Sequence, residues 1–204
     1  MSSTREHRSI QERRQQLLDA TVQVMCAEGV ASATTRAITK QAGLPHGAFH
    51  YCFDSKNDLF AALLERELHQ SMAAAFEPRG TGMDVQLRIE RGLTTRLEAV
   101  KARPDYELAL AELAVMSRRD PELQHLTGWE QAACLKALSS NLEKWYADDD
   151  IPWVAPPEKV AALLIALIDG ITSAWLNDRD DERAASSIQL GAQAISSLLK
   201  GNTP

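Results

Sequence analysis

Apolar side chains recur at helical spacing along most of the chain, and the alternating pattern typical of β-strands is absent. In residues 10–28 one face carries Leu17, Leu18, Thr21, Val22 and Met25. Further helical patterns cover residues 55–77, 83–102, 105–118, 121–147, 157–178 and 182–200, and two short segments lie between the first two long ones. The pattern therefore predicts an all-α protein of about nine helices.

Glycine and proline mark where these helices begin and end. Gly29 suits the position after a helix C-terminus. Pro104, Pro121 and the pair Pro156 and Pro157 suit first turns, where no N–H bond is lost. The stretch 78–82 is the clearest break in the first half, and 147–157 is expected to be a loop. We expect two blocks that meet on the helix 55–77: residues 1–60 and residues 61–204.

The two short segments, within residues 34–53, have the pattern of a helix-turn-helix. A threonine at 34 or 35 can cap the first helix, and Ile38 and Ala42 face inward one turn apart. Gly43 supplies the turn, and a second short helix near Pro45 buries two phenylalanines four residues apart. Its outward face carries small and polar residues that a major groove about 12 Å wide admits: His46, Gly47, Ala48, His50 and Tyr51.

Spacing alone also fits an ordinary helical hairpin, and the charge distribution favours the DNA-binding interpretation. The net charge of −6 argues against a protein that coats nucleic acid without specificity. Residues 1–57 hold seven basic and five acidic groups, a net of +2, so the rest of the chain carries −8. The positive excess coincides with the helix-turn-helix, as expected of a nucleic-acid footprint.

The stretch from about Arg14 to Leu64 resembles the N-terminal domain of the TetR family of bacterial transcriptional regulators. Length and the all-helical remainder also fit that family, although the resemblance beyond residue 64 is architectural only. Pro45 departs from the Ser or Thr that the family often has before the second motif helix, and His50 departs from a frequent Tyr. The residues that carry the resemblance are Ala27, Glu28, Gly29, Thr34, Thr35, Arg36, Ile38, Ala42, Gly43, Leu44, Gly47, Tyr51, Phe53, Lys56 and Leu59.

The resemblance implies a homodimer that binds a pseudo-palindromic, double-stranded DNA operator. Thr34, Thr35 and Arg36 fall where the family touches phosphates and groove edges. His46, Gly47 and Ala48 fall at the base-reading start of the recognition helix. The implied phosphate contacts are His50, Tyr51 and Lys56. Phosphate contacts set the register on DNA, and groove contacts set the sequence.

The last two long helices are apolar over more than a narrow stripe, with small residues interleaved. An ordinary core is one explanation, but so broad an apolar surface favours a second partner face. We expect a four-helix dimer interface with two helices from each subunit, and an isologous contact of this kind matches a palindromic site. The expected interface residues are Leu163, Leu164, Leu167, Ile171, Ile188, Ala192 and Ile195.

The middle helices are expected to enclose an effector pocket if the family architecture holds. Buried aromatic and Met side chains fit an apolar ligand with few polar contacts, although each is also an ordinary core residue. The candidate lining residues are Tyr106, Leu110, Leu113, Met116, His125, Trp129, Leu135 and Trp175.

Other chemistry has little support in the sequence. Three separated cysteines form no C-x-x-C pair, and His46 with His50 lacks a third metal ligand, so neither a disulfide framework nor a metal site is expected. No catalytic motif is present, and no enzyme activity or cofactor is predicted. The polar N-terminus does not resemble a signal peptide, and the apolar run 160–168 is half a membrane span, so we expect a cytoplasmic protein.

These observations predict a ligand-responsive transcriptional regulator, a repressor that a small-molecule effector releases from DNA. The helix 55–77 would carry the shift between the two states. Alternatives stay open from sequence alone. One is a helical effector-binding protein without DNA binding, or a helical enzyme, and the other is a transcriptional activator.

Overall fold

The computed structural model describes residues 10–71, 84–149 and 153–198, and this part of the chain is helical. Two short 3₁₀ helices, Val30–Ser32 and His46–Tyr51, interrupt the α-helices near the N-terminus. The all-α prediction is confirmed, and the described residues contain no strand. The α-helices are α1 (Ile10–Glu28), α2 (Thr35–Gln41), α3 (Lys56–Ser71), α4 (Val85–Ala102), α5 (Pro104–Ser117), α6 (Gln124–Asp149), α7 (Pro157–Asp178) and α8 (Asp181–Ser196).

Side-chain caps and backbone geometry explain several helix ends. Gly29 follows α1 with a φ of 82°, which costs glycine little. Asp84 begins α4 by accepting a hydrogen bond from the Leu87 N–H at 3.2 Å, and Asp180 begins α8 in the same way. Proline begins α7, as predicted.

Several predicted helix boundaries differ from the structure. α6 extends to Asp149, where the helix was expected to end at 147, so the first residues of the predicted loop 147–157 are helical. Residues 121–123 form a turn before α6, because the Asp120 side chain and carbonyl accept the N–H groups that follow Pro121. α8 ends at Ser196, where 200 was expected. α3 is described to Ser71, and the predicted break at 78–82 lies outside the described residues.

The chain forms two compact units, and the first combines residues from both halves of the sequence. It contains the described residues up to Arg66 together with Asp105–Thr127, and therefore most of α5. Its interior includes Leu17, Ile38, Phe49 and Leu63, all fully buried. The predicted division of the chain at residues 60 and 61 stays a prediction.

The second unit comprises Glu67–Pro104 and Gly128–Pro204, and its described core is built from α4, α6, α7 and α8. α7 and α8 approach closely at Gly191, where an added Cβ would lie 2.4 Å from Leu167 Cδ2. By length and composition α7 could also span a membrane, with a mean hydropathy of 1.7 over a stretch that is 39% buried. A single helix of this kind is weak support for a span, because core helices of soluble proteins share these properties.

Candidate nucleic-acid interface

The first helix of the motif, α2, begins at a threonine cap. Thr34 has an extended backbone, and its Oγ1 accepts the Ala37 N–H at 3.1 Å, as predicted for an N-cap. Thr39 is buried and its hydroxyl donates to the Thr35 carbonyl at 2.9 Å. The capped first turn leaves Thr34 and Arg36 exposed on the surface and Thr35 half-buried.

The turn after α2 requires a glycine. Gly43 has a φ of 66°, in the left-handed region that favours glycine, and an added Cβ would meet no atom within 4 Å. The Leu44 N–H then donates a hydrogen bond to the Thr39 carbonyl at 2.9 Å. Conformation, and not crowding, is therefore what selects glycine at this turn.

The second helix of the motif is a single 3₁₀ segment, His46–Tyr51. Pro45 precedes it with a φ of −58° and gives no side-chain cap, so the proline fixes the entry angle without supplying an acceptor. Phe49 and Phe53 are buried with ring centroids 5.8 Å apart, as predicted. The buried rings of Phe49, within the 3₁₀ helix, and Phe53, just after it, fix which face of this helix points to solvent.

Two polar side chains of α1 donate hydrogen bonds to the motif and its C-terminal end, and neither contact was predicted from the sequence. Arg14 donates to the Cys52 carbonyl, and its guanidinium carbon lies 4.1 Å from the Phe53 ring centroid. Gln16 donates to the Ala42 carbonyl at 2.6 Å. One sequence feature could have indicated the role of Arg14. It lies one turn before Leu17 and Leu18 on the apolar face of α1, where an arginine needs a partner for its charge.

The residues predicted to touch DNA all belong to the first unit, and most of them are exposed. His46, Gly47 and His50 are exposed and Ala48 is half-buried. The rings of His46 and His50 meet edge to face with centroids 6.1 Å apart. Tyr51 is 78% exposed, which is unusual for so large a side chain.

Lys56 begins α3. Its side chain is half-buried, and its Nζ lies 5.2 Å from the Phe60 ring centroid, so the stem packs on α3. Lys40, in the last turn of α2, is exposed and was not among the predicted contacts.

The first unit also ties α5 to the segment that precedes the motif. The Val30 N–H donates to Glu112 Oε2 at 3.1 Å, and an added Cβ at Gly29 would lie 3.6 Å from that oxygen. Asn57 donates to Glu122 at 2.6 Å and to Asp120 at 3.2 Å. Three carboxylates therefore connect the segments on either side of the motif with residues 105–127.

Most of the predicted dimer residues are already buried within the protomer. Leu164, Ile171, Ile188, Ala192 and Ile195 belong to its core. Leu167 is half-buried and Leu163 is 47% exposed. The outer surfaces of α7 and α8 instead present Leu163, Leu190 and the small residues Ala162, Ala166, Gly170, Ala185 and Ala194.

The predicted pocket residues are divided between the two units. Tyr106, Leu110, Leu113, Met116 and His125 belong to the first unit, and Trp129, Leu135 and Trp175 belong to the second. Leu113 and Trp175 are buried, whereas Met116 is exposed. The side chains of His125 and Trp129 lie outside the described part of the structure. The pocket stays a prediction.

Metal binding has no support in the described residues, where no group of three His, Cys, Asp or Glu side chains could hold an ion. The three cysteines are free thiols. The chemistry that the motif offers is therefore hydrogen bonding and positive charge: two imidazoles, a phenol, two threonine hydroxyls, Arg36 and Lys56.

Family models match most of the chain. Residues 17–63 match the family described as bacterial regulatory proteins, tetR family. Residues 86–200 match the family described as BetI-type transcriptional repressor, C-terminal, which is more than half of the chain. The two matches include both the motif and the helices α4, α5, α6, α7 and α8.

Two curated relatives match nearly the whole chain. The nicotine-responsive transcriptional repressor HdnoR of Paenarthrobacter nicotinovorans is 27% identical over 84% of this chain and 88% of its own length. The transcriptional regulator BetI of Serratia proteamaculans is 29% identical over 94% of this chain and 95% of its own length. Both are named as HTH-type regulators of transcription.

Solved structures share the fold at low sequence identity. Salmonella enterica GusR covers 98% of this chain with a TM-score of 0.74 and 18% identity, and 100% of that chain is matched. FadR of Bacillus subtilis, solved with stearoyl-CoA, covers 90% of this chain with a TM-score of 0.67 and 16% identity, and 97% of that chain is matched. At such identities the likeness concerns the fold alone.

Proposed function

Because the chain belongs to the TetR family of bacterial transcriptional regulators, we propose that the surface from Thr34 to Lys56 reads a pseudo-palindromic operator and that the bound protein represses transcription. The single observation that carries the contact map is the exposed face of the 3₁₀ helix His46–Tyr51, which lies between two carbonyls, of Ala42 and Cys52, that accept hydrogen bonds from α1. The proposed contacts are Thr34, Thr35, Arg36, His46, Gly47, Ala48, His50, Tyr51 and Lys56.

The roles follow from the chemistry of each side chain. Arg36 and Lys56 neutralise phosphates, and the hydroxyls of Thr34 and Tyr51 donate hydrogen bonds to phosphate oxygens. His46 reaches base edges, and Gly47 leaves room for the backbone to approach the groove. The short, small-residue face suits close entry into the major groove.

We propose that the protein acts as a homodimer through α7 and α8. Leu163 is 47% exposed and Leu190 is 66% exposed, and small residues adjoin both on the same outer surfaces. An apolar face of this kind favours burial against a second copy, and two-fold symmetry matches a palindromic site. The buried residues expected at the interface, such as Leu164 and Ile188, then pack beneath this apolar surface inside the protomer.

The dimer proposal has a direct test. Leu163→Glu should shift the mass measured by light scattering from two protomers toward one, because a carboxylate cannot be buried unpaired in an apolar contact. Leu108→Glu makes the same change at an exposed leucine of α5 and should leave the mass unchanged. Unchanged mass in Leu163→Glu and in Leu190→Glu would contradict the proposed interface.

We further propose that a small-molecule effector releases the protein from its operator. The lining residues expected from the sequence, from Tyr106 to Trp175, stay a prediction. A ligand shifts this equilibrium only by its different affinity for the two states. One relative is named as nicotine-responsive, but 27% identity does not carry an effector over to this chain. We assign a cytoplasmic location and no catalytic role.

A reporter assay tests the sign of regulation. Deleting the gene should raise transcription from a promoter that carries the operator, and restoring it should lower transcription again. Lower transcription after deletion would make the protein an activator. Unchanged transcription at every promoter that the protein binds would contradict regulation itself.

A further inference from the structure

The second unit buries two tryptophans whose ring N–H groups have no acceptor. Trp145 is 1% exposed and Trp153 is 6% exposed, and neither Nε1 donates a hydrogen bond to any residue that the structure describes. Native proteins rarely leave a buried donor unsatisfied, so each such group calls for a ligand, a water or another physical reason. Trp175 shows the usual arrangement, because its Nε1 donates to Asp181 at 2.7 Å.

A buried arginine lies against one of these indoles. Arg88 of α4 is 6% exposed, and its guanidinium carbon lies 4.9 Å from the Trp145 ring centroid. Arg88 also has other interactions, and its guanidinium lies beside the Trp145 indole. A guanidinium stays protonated inside a protein, so a permanent positive charge lies beside the Trp145 ring.

The surroundings of this pair are apolar. Trp145 belongs to a core that includes Ile89, Leu93 and Leu142. Arg88 stands one turn after Val85 on the inward face of α4, a position where an aliphatic residue would suffice for packing. A ligand that fits such a place needs an apolar body and one anionic group with acceptor oxygens.

We propose that the second unit binds an organic anion, a carboxylate on an apolar body, between Arg88 and the Nε1 of Trp145. Arg88 supplies the charge, the indole N–H supplies a directed hydrogen bond, and the aliphatic core holds the body. The inference rests on the proposed function, because it names the chemical class of the effector. An amine places like charge beside Arg88, and a neutral amide gains less from the same contacts.

A panel of matched compounds tests the chemical class. Each aliphatic or aromatic body, from four to eighteen carbons, is supplied as the carboxylate, the primary amide and the primary amine, and binding to the full chain is measured by calorimetry. We expect the tightest binders to be carboxylates, each at least tenfold tighter than its amide. Tightest binding by an amine or an amide, or no binding across the panel, would overturn the inference.

Variants test the place of binding. Trp145→Phe keeps the ring and removes the donor, and should weaken the best carboxylate about tenfold, as the loss of one charge-assisted hydrogen bond requires. Trp153→Phe is the matched control and should change binding less than twofold, because Arg88 is stacked on Trp145. Arg88→Met should abolish binding. If that variant fails to fold, Trp145→Phe decides, and unchanged carboxylate affinity there overturns the assignment.

Operator binding separates this inference from the proposed function. The best carboxylate should release wild-type protein from DNA and should release Trp145→Phe only at about tenfold higher concentration. A carboxylate that binds and leaves operator affinity unchanged would overturn the effector assignment alone. Ligand-free protein that binds no operator would contradict the proposed function instead.

Discussion

The hydroxyl of Thr34 sets where the first helix of the motif begins, so its removal should be felt in stability. Thr34→Ala deletes the acceptor of the Ala37 N–H and should lower the free energy of unfolding by about 1 kcal/mol. Thr34→Ser keeps the acceptor and should stay close to wild type. Denaturant titration followed by circular dichroism measures both, and equal midpoints for alanine and serine would contradict the capping role.

Lys56 should contribute to DNA binding through charge. Lys56→Ala should weaken binding to every DNA sequence alike and should reduce the slope of log affinity against log salt by about one. Lys159→Ala removes an exposed lysine of α7 and is the matched control, with an unchanged slope. Anisotropy titrations over a range of salt concentrations measure the slopes. Equal slopes for wild type and Lys56→Ala would remove Lys56 from the contact map.

The roles of individual residues could be predicted from the sequence where those roles depend on neighbours a few positions away. The Thr34 cap, the Gly43 turn and the buried Phe49–Phe53 pair were all predicted and all found. Arg14 and Arg88 were not, because their partners, Cys52 and Trp145, lie 38 and 57 positions away along the chain. Local pattern carries no information about contacts of such separation.

Among the elements, α5 is the helix whose place was least expected, and Glu112 connects it to the segment before the motif. Glu112→Ala removes the acceptor of the Val30 N–H and should lower the free energy of unfolding by roughly 0.5–1.5 kcal/mol. Glu112→Gln keeps an oxygen there and should lose less. Hydrogen exchange at Val30 measures the local effect, and unchanged protection in Glu112→Ala would contradict the contact.

The start of α8 should make stability depend on pH. Hydrogen bonds from Lys101 and then Trp175 hold the Asp181 pKa below its usual 3.8, and the bond to Asp181 raises the Lys101 pKa above 10.5. The carboxylate stabilises the fold above pH 3.8, and this is lost as pH falls through the lower folded pKa. The ammonium stabilises it below pH 10.5, and this is lost as pH rises through the higher one.

Asp181→Asn tests that dependence. The variant should melt below wild type at neutral pH, and the difference should shrink toward both pH extremes, because only charged Asp181 and charged Lys101 attract each other. Melting temperatures of both proteins from pH 2 to pH 11 measure it. A difference that is constant across the range would show that charge plays no part.

Helix positions were predictable because the spacing of apolar residues indicates the buried face of a helix and proline favours its first turn. The bounds of α1 and α7 match the predicted 10–28 and 157–178. The 3₁₀ geometry of His46–Tyr51 was not predictable, since six residues include too few apolar positions to distinguish it from an α-turn. The turn at Pro121 depends on a hydrogen bond that the Asp120 carboxylate accepts, and the spacing of apolar residues does not predict that bond.

For the whole molecule, the net charge of −6 conceals two different parts. The motif region carries the positive excess and the rest carries the acidity, which favours binding at a defined operator over general adhesion to DNA. The grouping of residues 105–127 with the motif, by contrast, is a tertiary fact that no local pattern predicts. It places α5 beside the DNA-reading elements, where an effector signal would have to arrive.

The central claim is that this surface reads a particular DNA sequence as a dimer. The most direct measurement is an anisotropy titration, at about 0.15 M salt, with duplexes tiled across the gene's upstream region and neighbouring promoters, each against a scrambled duplex of equal composition. One duplex should bind at least about a thousandfold tighter than its scrambled partner, with two protomers on a palindrome. Equal affinity for every duplex and its scrambled partner would contradict the account.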